Sequence, residues 1–211
     1  MLLKSKYGSP RLNNKDDPLD ELLFILLSQM TTAPSYERVF NRLKAAFPSW
    51  DGLLAVSPKA VHKLIADAGL ANQKAPRISE LARRLQKDFG AVTLAPVCTW
   101  EDGKVEAYLT SLPGAGIKTA KCVMMYAMGR KVLPVDTHVA RVLRRLGVLS
   151  EGVGGNGVHA AVEAVVPPDL RYDLHVNAVA HGRAVCKARN PKCPGCVVQK
   201  LCNHRSIHGT K

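Results

Sequence analysis

The sequence has no hydrophobic stretch long enough to cross a bilayer. Its purely apolar runs, Leu22 to Leu27 among them, fall far short of the roughly 18 residues a span needs. There is no alternating segment long enough for a sheet and no internal repeat. No secretory leader is expected either, because Lys4 and Lys6 interrupt the opening MLLKSKYGSP. These absences exclude a spanning helix, a β-fold and a solenoid, and leave a cytoplasmic helical protein as the expectation. Acidic residues are scarce, 17 Asp and Glu against 30 Lys and Arg, giving a net charge of +13 over 211 residues. Cations in that excess gain free energy by releasing counterions from phosphate, so a polyanion is the natural partner.

A disulfide framework is also unexpected, since the reducing cytoplasm keeps thiols free. Six cysteines are present, and four of them, Cys186, Cys193, Cys196 and Cys202, form a C-x6-C-x2-C-x5-C array within 17 residues. Four soft thiolates so close suit tetrahedral zinc or a cubane iron–sulfur cluster. Zinc ribbons present two C-x2-C knuckles, and only one occurs here, so the spacing favours the cluster. Between the first two ligands, Lys187, Arg189 and Lys192 make a cationic loop able to grip phosphate. Cys98 and Cys122 lie on apolar segments and read as packing residues.

What remains is helical pattern. Asp17-Pro18 reads as an N-cap and first position for a buried helix carrying Leu19, Leu22, Leu23, Leu26 and Leu27. Pro34 opens a second helix with a Val39, Phe40, Leu43 stripe. Ser57-Pro58 caps a third, and Pro76 is expected to open a fourth, with Ile78, Leu81 and Leu85 inward. Thr99 to Asp102 resembles a capping box before Val105 and Leu109. Further helices are expected at 117–128, 137–146 and 170–185, with an extended segment at 130–135 and a glycine-rich loop at 150–157. Gly152-x-Gly154-x-x-Gly157 matches a dinucleotide fingerprint in letters only, because no strand precedes it. The fold class expected is all-α.

Leu112-Pro113-Gly114-Ala115-Gly116 stands between two of these helices. Glycines there permit a tight hairpin whose outward backbone N–H groups, with the positive end of the next helix, can hold a phosphate. Lys118 follows at that helix N-terminus. A lysine attacks a sugar carbon only as the neutral amine, and an ordinary lysine titrates near ~10.4, so desolvation or neighbouring cations are required. The helix from residue 117 to 128 is about 16–18 Å long and the extended return spans about 20 Å. Asp136 can therefore come back to the level of Lys118, where a carboxylate can relay a proton and stabilise positive charge on the sugar.

The order and separation of Leu112–Ala120 (LPGAGIKTA), Val135–His138 (VDTH) and the four-cysteine tail resemble the endonuclease III family of helix-hairpin-helix DNA glycosylases, over about Leu19 to Cys202. The resemblance implies two helical domains, a six-helix barrel at 18–130 holding the hairpin and an iron–sulfur domain from 1–17 plus 131–211, with DNA in the cleft. It implies a [4Fe-4S] cluster on the four cysteines, Lys118 as nucleophile, Asp136 as the carboxylate, and His138 as positional support. It assigns DNA contacts to Gly114, Gly116, Lys121, Lys187, Arg189 and Lys192.

The implied activity is base excision repair by a bifunctional glycosylase and apurinic/apyrimidinic lyase. It would remove oxidised pyrimidines from double-stranded DNA and act on abasic sites, as a nucleoid-associated monomer off the membrane. Two alternatives stay open: a G·T/G·U mismatch glycosylase of the same fold, and an iron–sulfur DNA-binding protein without catalysis. Some positions depart from the family pattern. Where relatives read Leu-Leu-Ser-Ala-Gln-Ala-Thr-Asp, this chain has Leu-Leu-Ser28-Gln29-Met30-Thr31-Thr32-Ala33. The glutamine that fills the hole left by the flipped base is shifted to Gln29 or replaced by Met30. Leu70 aligns with a leucine wedge, and the 91–111 segment is longer than in the bacterial prototype.

Overall fold

The computed structural model describes residues 2–10 and 12–204, and among these no strand occurs. Packing divides the chain into two compact units, residues 14–130 and the described parts of 1–13 with 131–211. In the first unit lie α2 (Pro18–Ser28), α3 (Ala33–Ala46), α4 (Pro58–Ile65), α5 (Ala71–Phe89), α6 (Asp102–Ser111) and α7 (Ile117–Tyr126). In the second lie α1 (Leu2–Tyr7), α8 (Thr137–Arg145), α9 (Gly157–Val165) and α10 (Arg171–Ala184). No helix among the described residues is long and apolar enough to cross a membrane.

α2 is the central helix of its unit. Asp17 Oδ1 accepts from the N–H groups of Leu19 (3.0 Å) and Asp20 (2.8 Å), and Pro18 takes the first helical position. Every residue from Leu22 to Leu27 is buried, so this helix is apolar all round and packs against α3 and α7. Burying a leucine contributes roughly 1.5–3 kcal/mol, and Leu22, Leu43, Ile65, Leu85 and Leu109, each fully buried, anchor five of the six helices.

Two local expectations are corrected. α5 does not begin at Pro76: it starts at Ala71, with Leu70 in the left-handed region (φ 62°) before it, and carries Pro76 inside. The proline removes one backbone bond, and the buried face of Ala71, Ala75, Ile78, Leu81, Ala82 and Leu85 outweighs that loss. The capping box at Thr99–Asp102 does not form. Residues Ala95–Thr99 are a 3-10 turn, and Glu101 precedes α6 without a side-chain cap. Helices α1 and α9 went unread.

In the other unit, α1 lies along α10. Asp173 accepts from Lys4 Nζ and Ser9 Oγ at 2.6 Å each, and Asn177 Nδ2 donates to Gly8 O at 3.1 Å. α8 packs on α10 at Gly182, where a Cβ would come within 2.8 Å of His138 Cβ.

Candidate functional site

The hairpin Leu112–Gly116 joins α6 to α7. Leu112 is buried and plugs the core, and Ala115 N–H donates to Leu112 O at 3.1 Å, closing the turn. Gly114 has φ +81°, and a Cβ there would meet Leu26 Cδ2 and Arg77 Cδ at 3.3 Å. The positive φ favours glycine, and the space left for a Cβ is tight. Gly116 differs: its φ is −89° and nothing lies within 4 Å of a Cβ built on it. The first turn of α7 opens next to that space, and such a helix end favours an anionic group.

Lys118 is the second residue of α7 and is half-buried. Its charge reaches Glu21 of α2, a residue the sequence reading missed. Glu21 is fully buried, and its carboxylate accepts from Asn14 Nδ2 and Lys15 N–H at 2.6 Å each. Burial pushes its pKa above the usual range, against the lowering effect of those bonds and of the Lys15 and Lys118 charges. An acid in a first helical turn normally reads as solvated. The signal lay in the run Leu22–Leu27, because a helix apolar on all sides leaves no wet face.

Lys121, expected to contact DNA, has an ion-pair partner within its own unit. It is buried, and its Nζ pairs with Glu106 Oε2 at 2.7 Å, so its charge is neutralised within the fold.

Asp136 stands at the N-cap of α8. Both the His138 and Val139 N–H groups donate to its Oδ1 at 2.8 Å. The segment leading to it belongs to no sheet, and side chains satisfy its backbone instead. Leu133 N–H donates to Glu163 Oε1 (2.6 Å), Val135 N–H to His159 Nδ1 (3.2 Å), and His175 Nδ1 donates to Pro134 O (2.7 Å). Arg171 Nη1 adds a bond to Lys131 O at 2.6 Å. Buried backbone groups must find partners, so α9 and α10 fix where the carboxylate begins. None of these four holding residues was legible from motif reading. His138 Nδ1 lies 3.0 Å from Arg141 Nη2, consistent with a positional role.

In the tail, Cys186, Cys193, Cys196 and Cys202 are all part-buried and none is in a disulfide. Burial pushes the Cys196 thiol up, and the neighbouring Cys186, Cys202 and Cys193 push it further, so the four sulfurs feel one another's charge. Donors surround them: Arg145 Nη1 lies 3.2 Å from Cys186 Sγ, and His181 Nε2 lies 3.4 Å from Cys196 Sγ. Soft sulfur ligands with N–H donors aimed at them fit an anionic iron–sulfur cluster. Among the described residues no three His, Cys, Asp or Glu side chains are placed to hold a single metal ion. Arg141 Nε donates to Cys186 O, and Arg145 to Lys187 O and Ala188 O, tying this loop to α8. Lys187, Arg189 and Lys192 are exposed on it. Cys122 is buried as expected of a packing residue, and Cys98 is half-buried.

Gln29 ends α2, and Met30 follows in the left-handed region (φ 53°) with 81% of its surface exposed. Leu70 is likewise left-handed and exposed.

Residues 23–168 match the model of the HhH-GPD superfamily base excision DNA repair protein, and residues 186–202 match the iron-sulfur binding domain of endonuclease III. The chain is 31% identical over 193 residues to endonuclease III of Thermotoga maritima, covering 92% of this chain and 86% of that protein. It is 29% identical over 196 residues to the thymine/uracil-DNA glycosylase of Methanothermobacter thermautotrophicus, covering 89% and 82%. It spans 60% of an Arabidopsis thaliana relative, with 34% identity over 177 residues. Its fold is similar to that of a trapped endonuclease III–DNA covalent intermediate, with a TM-score of 0.83, 27% identity, and coverage of 98% of this chain and 93% of that one. The family models together cover the glycine hairpin, Lys118, Asp136 and the four-thiol tail, and the chain belongs to the HhH-GPD superfamily of base excision DNA repair proteins, with the iron–sulfur domain of endonuclease III and a [4Fe-4S] cluster as its cofactor.

Proposed function

We propose that this DNA glycosylase is bifunctional, removing oxidised pyrimidines from duplex DNA and cutting the resulting abasic strand. The observation that carries the reading is Lys118, half-buried in the first turn of α7 directly after the hairpin. The Gly114–Gly116 turn holds a backbone phosphate through N–H groups, and the damaged nucleotide is extruded from the stack. The neutral Lys118 amine attacks C1′, the bond from C1′ to the base breaks, and the base departs with the electron pair and takes up a proton. Asp136 accepts and relays the proton of the attacking amine and stabilises positive charge on the opening sugar. Loss of a 2′ proton from the resulting Schiff base then expels the 3′ phosphate, and water releases the lysine.

Cys186, Cys193, Cys196 and Cys202 would hold the cluster, which supplies a rigid scaffold for the Lys187, Arg189 and Lys192 loop. That loop grips phosphate on the same duplex, and the protein works as a monomer.

Kinship to the thymine/uracil-DNA glycosylase favours a second reading, removal of thymine or uracil opposite guanine. A panel of duplexes containing thymine glycol, other oxidised pyrimidines, G·T and G·U separates the two. The first reading expects oxidised pyrimidines to be released fastest, with 3′ unsaturated aldehyde ends. Preference for G·T or G·U would replace it with the second, and binding of every duplex without base release would leave a non-catalytic protein.

A further inference from the structure

Two large apolar side chains stand out from the 14–130 unit on left-handed backbones, Met30 at 81% and Leu70 at 47% exposure. Neither conformation is cheap for a residue with a Cβ, so the surroundings must impose them. The loops that carry them are fastened together. Gly69 N–H donates to Thr31 Oγ1 at 2.9 Å, and the backbones lie so close that a Cβ on Gly69 would overlap Met30 O. Beneath both loops is Lys74, in the first turn of α5 and only 3% exposed. Its Nζ donates to Leu27 O (2.8 Å), Gln29 O (2.5 Å) and Thr31 Oγ1 (3.1 Å).

All three acceptors are neutral, and two are carbonyls at the C-terminal end of α2. Those carbonyls have no partner within their own helix, and the negative end of the helix attracts a cation. An ammonium offers three donors, one for each acceptor.

The resemblance already assigns a wedge to Leu70 and a gap-filling place to Gln29 or Met30; we propose that Lys74 is the positioning residue that locks the Met30 and Leu70 loops together, so that both tips stand as one rigid apolar unit beside an extruded nucleotide. The inference rests on the DNA-lesion reading above. Apolar side chains driven between base steps unstack them, and a wedge works only if its tips are held before DNA arrives. Both tips here are hydrocarbon or thioether, so the wedge separates bases by shape.

The test uses the cluster-loaded full chain and a duplex bearing a stable abasic-site analogue with 2-aminopurine beside it. The variants are Lys74→Met, Thr31→Val, Gly69→Ala, and the double variant Met30→Ala/Leu70→Ala. Lys74→Met is expected to reduce the 2-aminopurine fluorescence rise and to weaken abasic-duplex binding about tenfold, with binding to undamaged duplex unchanged. Thr31→Val, which keeps the lysine, and Gly69→Ala, which forces the loops apart, should do the same if Lys74→Met fails to fold. Adding Lys74→Met or Thr31→Val to the double variant should cost nothing further.

An equal loss in the double-variant background, or a parallel loss on undamaged duplex, overturns the inference alone. A wild-type protein that does not distinguish the abasic duplex overturns the parent reading and this one with it.

Discussion

At the scale of single residues the account rests on local chemistry that substitutions can separate. Asp136 is both an N-cap and the proposed catalytic carboxylate, and asparagine caps a helix almost as well as aspartate. Asp136→Asn should therefore keep its melting temperature within a few degrees while turnover falls about 10²–10⁴-fold; a large loss of stability with activity to match would reduce the residue to a cap. The two hairpin glycines should respond differently. Gly114→Ala, forced to φ +81° and against Leu26 and Arg77, should destabilise by about 1–3 kcal/mol. Gly116→Ala meets open space and should fold normally, yet its methyl group occupies the proposed phosphate position, so DNA binding should weaken. Equal denaturation midpoints for the two variants would contradict this division.

At the scale of elements, the motifs that carry a local mechanism were legible and the long-range ones were not. Asp17-Pro18 declared its cap because the capping bond is made within three residues. The hairpin declared itself through Gly114 and Gly116. By contrast, Pro76 was misread as a helix start because the buried face that carries α5 through it is decided by tertiary packing. Glu163, His159, His175 and Arg171, which hold the segment before Asp136, were invisible because their partners are backbone atoms 24 to 41 residues away. The pairing of Lys121 with Glu106 was likewise not legible, nor was the burial of Lys74.

The Lys74 clamp gives an element-scale prediction. Burial lowers its pKa to about 8, whereas an unfolded lysine titrates near ~10.4. Between those values the unfolded chain binds more protons, so the Lys74 contribution to stability rises with pH across that window. Chemical denaturation from pH 8 to pH 10 should show a rise in wild type that is smaller in Lys74→Met. Identical pH profiles would show that Lys74 is not buried as described.

At the scale of the whole molecule, a net charge of +13 and a cluster-bearing loop with three exposed cations make phosphate the dominant partner. DNA affinity should fall steeply with salt, because each neutralised phosphate releases counterions. The isolated protein should be brown with about four irons per chain; zinc in metal analysis would contradict it. The central claim is that a lysine in the first turn of α7 forms the covalent link to DNA. Borohydride reduction of the protein on a duplex containing an abasic site tests it most directly. The account predicts a stable protein–DNA adduct with the wild-type chain and none with Lys118→Ala that still binds the duplex; an adduct that persists in Lys118→Ala, or none from the wild type, would contradict it.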